Sequence, residues 1–196
     1  MRKSDFTKSR IIIESSNLFN TQGYKSTSLS EITEASGYTK GAIYRHFENK
    51  EALEIESLEY MSKLVLKTLS ESIKKENNVF DKLNALFDFF CSYTNEPIIK
   101  GGCPLLNAAI EVDETETILK FKAKTFLNAI KISINKLLLN GIKYNQLKSD
   151  LDVEAFSTVI IASLEGAIMM SKLSNTNTDL RLVTKHLKNY IESYRK

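Results

Sequence analysis

Apolar residues recur along this chain at spacings of three and four, the mark of helices that bury one face, and strand-like alternation is scarce. The first such stretch, residues 7–22, places Ile11, Ile12, Ser15, Leu18 and Phe19 on one face and stops at Gly23. Ser28 and Glu31 form a capping-box pair that predicts a short helix over 29–36, and Gly37 after it suits a turn needing positive φ. Thr39 predicts the cap of a third helix, about residues 40–46. A long amphipathic helix follows over 49–76 with Leu53, Leu58, Met61, Leu64, Val65, Leu69 and Ile73, and Asn77-Asn78 breaks it. A fifth, over 79–94, carries Leu83, Leu86, Phe87, Phe90 and Cys91. Pro97 and Gly101-Gly102 mark a loop, Pro104 starts a helix to about 112, and 114–140 is another long helix. After a connector over 144–149, residues 152–173 are apolar nearly all round and 178–194 are amphipathic. The pattern predicts an all-α protein of about nine helices, with a small N-terminal unit over 1–50 and a larger helical unit over 51–196.

Composition narrows the possibilities. Apolar residues make up 42% of the 196-residue chain, enough for a core. The net charge is only +3, but its placement matters: residues 1–50 hold eight Lys and Arg against five acids, whereas 51–196 hold nineteen of each. The excess positive charge therefore sits in the first quarter, where a phosphate backbone would attract it. Two cysteines, Cys91 and Cys103, make no disulfide framework, no secretory signal follows Met1, and unbroken apolar runs fall far short of the ~18 residues of a membrane span. These features predict a soluble, cytoplasmic protein without a membrane partner. His46 and His186 stand apart from any Cys or carboxylate cluster at metal-ligand spacing, and no Gly-rich phosphate loop occurs. Neither an enzyme nor a bound metal or cofactor is expected.

The N-terminal elements have the dimensions of a helix-turn-helix, with 29–36 as the brace and 40–46 as the helix that enters the major groove. Thr39 and the amides behind it favour a phosphate, and Lys40, Arg45 and Lys50 add charge. Gly41 and Ala42 are small enough to admit the duplex, Tyr44 supplies an aromatic arm with a hydroxyl, and His46 can meet a phosphate or a base edge, while Ile43 and Phe47 turn inward. Thr27 and Ser28, at the start of the brace, complete the expected DNA-facing set.

The run Arg10-Ile11-Ile12, Leu18-Phe19, Gly23-Tyr24, Thr27-Ser28-Leu29, Ile32, Ala35-Ser36-Gly37, Lys40-Gly41, Ile43-Tyr44, His46-Phe47 and Asn49-Lys50-Glu51-Ala52-Leu53 resembles the N-terminal domain of the tetracycline-repressor (TetR) family of bacterial transcription regulators. Ser15, Ser16 and Tyr38 depart from that family's usual small or aliphatic residues. The resemblance implies a homodimeric repressor that binds a palindromic double-stranded operator and carries a divergent ligand-binding domain. An activator of the same family is the alternative, and outside it a helical small-molecule carrier or adaptor with a vestigial reader.

The C-terminal half offers two expectations. Helices 152–173 and 178–194 would form a four-helix seam with a second copy, as the resemblance implies, through Phe156, Ile160, Ala162, Gly166, Met169, Leu187 and Tyr190. An apolar, aromatic pocket for a small effector would be walled by Phe87, Phe90, Tyr93, Leu106, Ile110, Phe121 and Phe126, with Asn107 and Glu111 as polar handles. Cys103, between Gly102 and Pro104 at a helix start, is either a thiolate that senses electrophiles or a small packed residue.

Overall fold

The computed structural model describes residues 3–92, 97–112 and 117–196. Among these residues the chain forms nine helices and no sheet: α1 (Lys3–Gln22), α2 (Leu29–Ser36), α3 (Lys40–Tyr44), α4 (Lys50–Lys74), α5 (Val79–Ser92), α6 (Pro104–Glu111), α7 (Ile118–Lys143), α8 (Val153–Ser174) and α9 (Thr178–Glu192). Tyr93 and the expected start of the seventh helix at Glu114 lie outside the described residues. Local chemistry sets most helix ends. Ser28 caps α2 in a reciprocal box with Glu31, and Gly37 closes it at φ 72°. Asn49 caps α4 through a bond from Ala52 N at 2.8 Å, and Asp152 caps α8 by accepting from Ala155 N. The helix α3 is shorter than expected, because the chain tightens after Tyr44 and both His46 N and Phe47 N donate to Ile43 O.

The chain divides into two compact units, which do not match a cut after residue 50. One comprises Met1–Leu64 and Ile99–Phe126; the other comprises Val65–Ile98 and Leu127–Lys196. The first unit therefore takes in α6 together with α1, α2 and α3. Its core is built on Ile11, Phe19, Ile32, Ile43, Phe47, Leu53 and Leu58, all buried. The second unit buries Leu83, Leu86, Phe87, Phe90, Ile134, Phe156, Ile160, Leu164, Leu180, Leu187 and Ile191. Its C-terminus is pinned to the connector after α7: Lys148 N donates to Tyr194 O, Lys196 N to Gln146 O, and the Arg195 guanidinium lies 3.5 Å from the Phe80 ring centroid.

Candidate nucleic-acid interface and its supports

α2 and α3 form the helix-turn-helix anticipated from the caps. Thr39 accepts from Ala42 N at 3.3 Å and so caps the start of α3. Ile43 is buried and holds α3 on the unit's core, so the opposite face is left to solvent. Around it Lys40, Gly41, Tyr44 and Arg45 are exposed, with Ala42 and His46 half-buried. Ser28 and Thr39 are exposed as well, although Ser28 already spends its hydroxyl and amide on Glu31.

Two members of the expected set behave differently. Thr27 is 1% exposed and its hydroxyl donates to Gly23 O at 2.7 Å, so its side chain holds the turn and cannot reach a phosphate. Lys50 is turned inward: its ammonium donates to Tyr24 O at 2.5 Å, pairs with Glu54 at 3.1 Å and lies over the Phe19 ring. Tyr24, stacked on Phe19 with ring centroids 5.1 Å apart, is buried, and burial pushes its phenol well above the usual range, with Glu111 and Glu54 adding to the shift. Burial likewise raises the Glu54 carboxyl, against the pull of Lys50.

The turn between α1 and α2 is also held from a distant part of the sequence. Glu111, on α6, accepts from Tyr24 N at 2.8 Å and from Lys25 N at 3.0 Å. A Cβ at Gly23 would stand 2.7 Å from that carboxylate, and Gly23 has φ 97°, so both geometry and space demand glycine there. Asn20, at the end of α1, donates to Lys100 O and Gly102 O, and Asn107 on α6 donates to Asn20 O, Asn20 Oδ1 and Gly101 O. Gly101 sits where a Cβ would be 2.2 Å from Asn20 O. Asn107 and Glu111 are thus neither pocket handles nor idle surface; they bind α6 to the base of the reader. Sequence reasoning missed this because the partners lie 86 and 87 residues apart.

The expected effector walls are divided between the two units, Phe87 and Phe90 in the second and Cys103, Leu106, Asn107, Ile110, Phe121 and Phe126 in the first. Phe87, Phe90, Cys103 and Phe126 are buried packing residues, Leu106 and Asn107 are half-buried, and Ile110 and Phe121 are 68% and 65% exposed. A cavity of about 710 Å³ lies within the second unit, between the end of α4, the start of α5 and the last turns of α7, and none of these residues lines it. Cys103 caps α6 without a side-chain hydrogen bond to the helix, and it is 3% exposed. Neither cysteine is in a disulfide, and burial raises the Cys91 thiol.

The expected seam on α8 and α9 needs the same correction. Phe156, Ile160 and Leu187 are 3%, 0% and 1% exposed and belong to the unit's own core, so they have no surface to give a partner. Ala162 and Met169 face outward, Gly166 is half-buried with nothing within 4 Å of an added Cβ, and Tyr190 is 43% exposed with its ring 5.0 Å from Phe156. Together with Ala155, Val159 and Leu173 they mark positions 155, 159, 162, 166, 169 and 173, a seam spaced by four and three. That spacing was the available signal; a helix apolar all round conceals it. By length and composition α8 is also apolar enough to cross a membrane, a property that its interspersed serines hide from a search for unbroken apolar runs.

Comparison with known proteins agrees with this arrangement. The family profile "Bacterial regulatory proteins, tetR family" matches residues 11–56, and "Tetracyclin repressor-like, C-terminal domain" matches residues 79–187. The chain is similar to a solved TetR transcriptional regulator from Chloroflexus aurantiacus J-10-FL, at 34% identity and a TM-score of 0.95, covering 100% of this chain and 98% of that one. It is similar to the uncharacterized HTH-type transcriptional regulator YxaF of Bacillus subtilis, at 27% identity over 92% of this chain and 93% of the relative. It is also similar to the HTH-type transcriptional repressor DhaR of Mycobacterium sp., at 22% identity over 88% of this chain and 86% of the relative.

Proposed function

The chain belongs to the tetracycline-repressor family of bacterial DNA-binding transcription regulators, and from that premise we propose that it is a dimeric repressor released from a palindromic operator by a small-molecule effector. The family is one of regulators and not of enzymes, so the surfaces that matter are those for DNA, a second copy and an effector. The observation that carries the reading is the outward face of α3, where Lys40, Tyr44 and Arg45 stand exposed around the small Gly41 and Ala42 on a helix held from behind by Ile43. Thr39, Ser28 and His46 flank that face. In a dimer, two such helices about 34–36 Å apart would enter successive major grooves.

Repression rather than activation draws support from the relative named as a repressor. Effector release draws on α4, a single helix whose residues Lys50–Leu64 belong to the reader's unit and Val65–Lys74 to the other. A ligand that favours one setting of this helix shifts the dimer between binding and released states only by its difference in affinity for the two.

The test is duplex binding measured across salt concentrations, on operators selected from genomic fragments. Arg45→Gln is expected to weaken binding and lower the salt slope by about 1, as one lost phosphate contact does. Lys50→Ala is expected to lower thermal stability while leaving the slope unchanged, because its ammonium secures Tyr24 O and Glu54. An unchanged slope in a variant lacking Lys40, Tyr44 and Arg45 together would remove α3 as the reader.

A further inference from the structure

The cavity of about 710 Å³ in the second unit has a composition that names its occupant. Its apolar surface comes from Leu66, Leu69 and Ile73 near the end of α4, Val79 at the start of α5 and Leu137 on α7. Leu69, Val79 and Leu137 are themselves buried and give the cavity an apolar floor, beside which Ser70, Ser133, Asn140 and Tyr144 add neutral polar groups. Around it stand Lys74, Lys82 and Lys136, and no Asp or Glu lines the cavity. None of these three ammonium groups has a carboxylate within 4 Å among the described residues, although other lysines of the same helices are paired, such as Lys67 with Glu71 and Lys131 with Glu154. At the start of α5 two of the first amides are already taken, Val79 N by Gln146 Oε1 at 2.6 Å and Asp81 N by Asn78 Oδ1.

We infer that this cavity binds a small organic anion: an apolar body of drug-like size carrying one carboxylate or similar headgroup, the body against Leu69, Val79 and Leu137 and the headgroup among Lys74, Lys82 and Lys136. The volume lies within the range of pockets that enclose small ligands. Three unpaired positive charges at an apolar cleft attract an anion and repel a cation, and the apolar floor rejects a fully hydrated ion such as free phosphate, which would gain nothing from it. That binding here also releases DNA rests on the proposed function above; the chemistry of the site does not.

The experiment uses the full chain and three ten-carbon probes: decanoate, decan-1-ol and decylammonium. Each competes with 8-anilinonaphthalene-1-sulfonate, whose bound fluorescence is read without background from tryptophan, since the chain has none. Decanoate is expected to bind about tenfold more tightly than the alcohol, about twofold from each lysine, and the ammonium more weakly than either. In the K74Q/K82Q/K136Q variant that preference should vanish while the alcohol binds as before. Equal binding of the three probes, or a preference for decanoate that survives in the variant, overturns the assignment, as does failure of all three to bind. Operator affinity is measured on the same samples: a parent chain that binds no duplex sinks the proposed function separately, and one that binds decanoate without releasing its operator overturns the effector role alone.

Discussion

Ser15 is fully buried on α1 with a hydroxyl that has no hydrogen-bond partner among the described residues, whereas its neighbour Ser16 donates to Ile12 O at 2.7 Å. A buried, unpaired hydroxyl costs more than it returns, and serine is also a poorer helix former than alanine. Ser15→Ala is therefore expected to stabilise the protein by about 1 kcal/mol in urea unfolding; a destabilised variant would show that the hydroxyl has a partner in solution. Glu31 makes a different kind of residue-scale prediction. Its carboxyl is held below the usual range, first by the Ser28 amide, then by the Ser28 hydroxyl. A depressed carboxyl stabilises the folded state above its unfolded pKa of ~4.3, and that stability is lost as pH falls through the lower folded value. Melting temperatures of Glu31→Ala should lie below the parent's at neutral pH and converge with it under acid. A gap that persists or widens at low pH would mean that the capping box does not depend on the charge.

The helix α6 is the element whose role changed most between sequence and structure. Its eight residues begin at Pro104, as the proline at the first helical position predicts, and read from sequence they offered a pocket wall. In the fold they serve chiefly to hold the reader's base, through Asn107 on Asn20 and Glu111 on the amides of Tyr24 and Lys25. Gly101 follows from the same fit, since it lies against the backbone of Asn20. Asn107→Asp makes a sharp test. It replaces a donor to three oxygens with a carboxylate facing the same three, so it should cost about 1–3 kcal/mol of stability. Circular dichroism during chemical unfolding would measure that loss, and a variant as stable as the parent would show that the link between α6 and α1 is not made in solution.

At the scale of the whole molecule, the exposed seam on α8 carries the dimer proposal. Val159, Met169 and Leu173 are 49%, 48% and 79% exposed, an apolar stripe of the kind that a second copy would cover. Gly166 lies on that stripe with open space where a side chain would begin. Gly166→Glu should therefore leave each chain folded, because nothing within the chain is displaced. It would bury an unpaired charge only when a second copy docks, at about 3–5 kcal/mol. Sedimentation should find folded monomers with sharply reduced operator affinity. A folded Gly166→Glu dimer with full affinity would move the interface off this face.

Local chemistry decided much of this protein before any tertiary contact. Periodicity of three and four dictated helices, Ser28, Thr39, Asn49 and Asp152 set helix starts, Gly37 set an end, and the inward Ile43 and Phe47 followed from spacing around a turn. The side of α3 proposed to meet DNA was legible for the same reason: cap, small residues and charges occur within twelve consecutive residues. Packing between distant segments decided the rest. Only the fold shows that Lys50 turns to Tyr24 and Thr27 to Gly23, that α6 closes on α1, that Phe156 and Ile160 face inward while Val159 and Ala162 face out, and that a cavity opens beside Leu69 and Leu137. A helix apolar on every side has no sequence mark for its inner face, and a hydrogen bond across 87 residues leaves no trace in a local pattern.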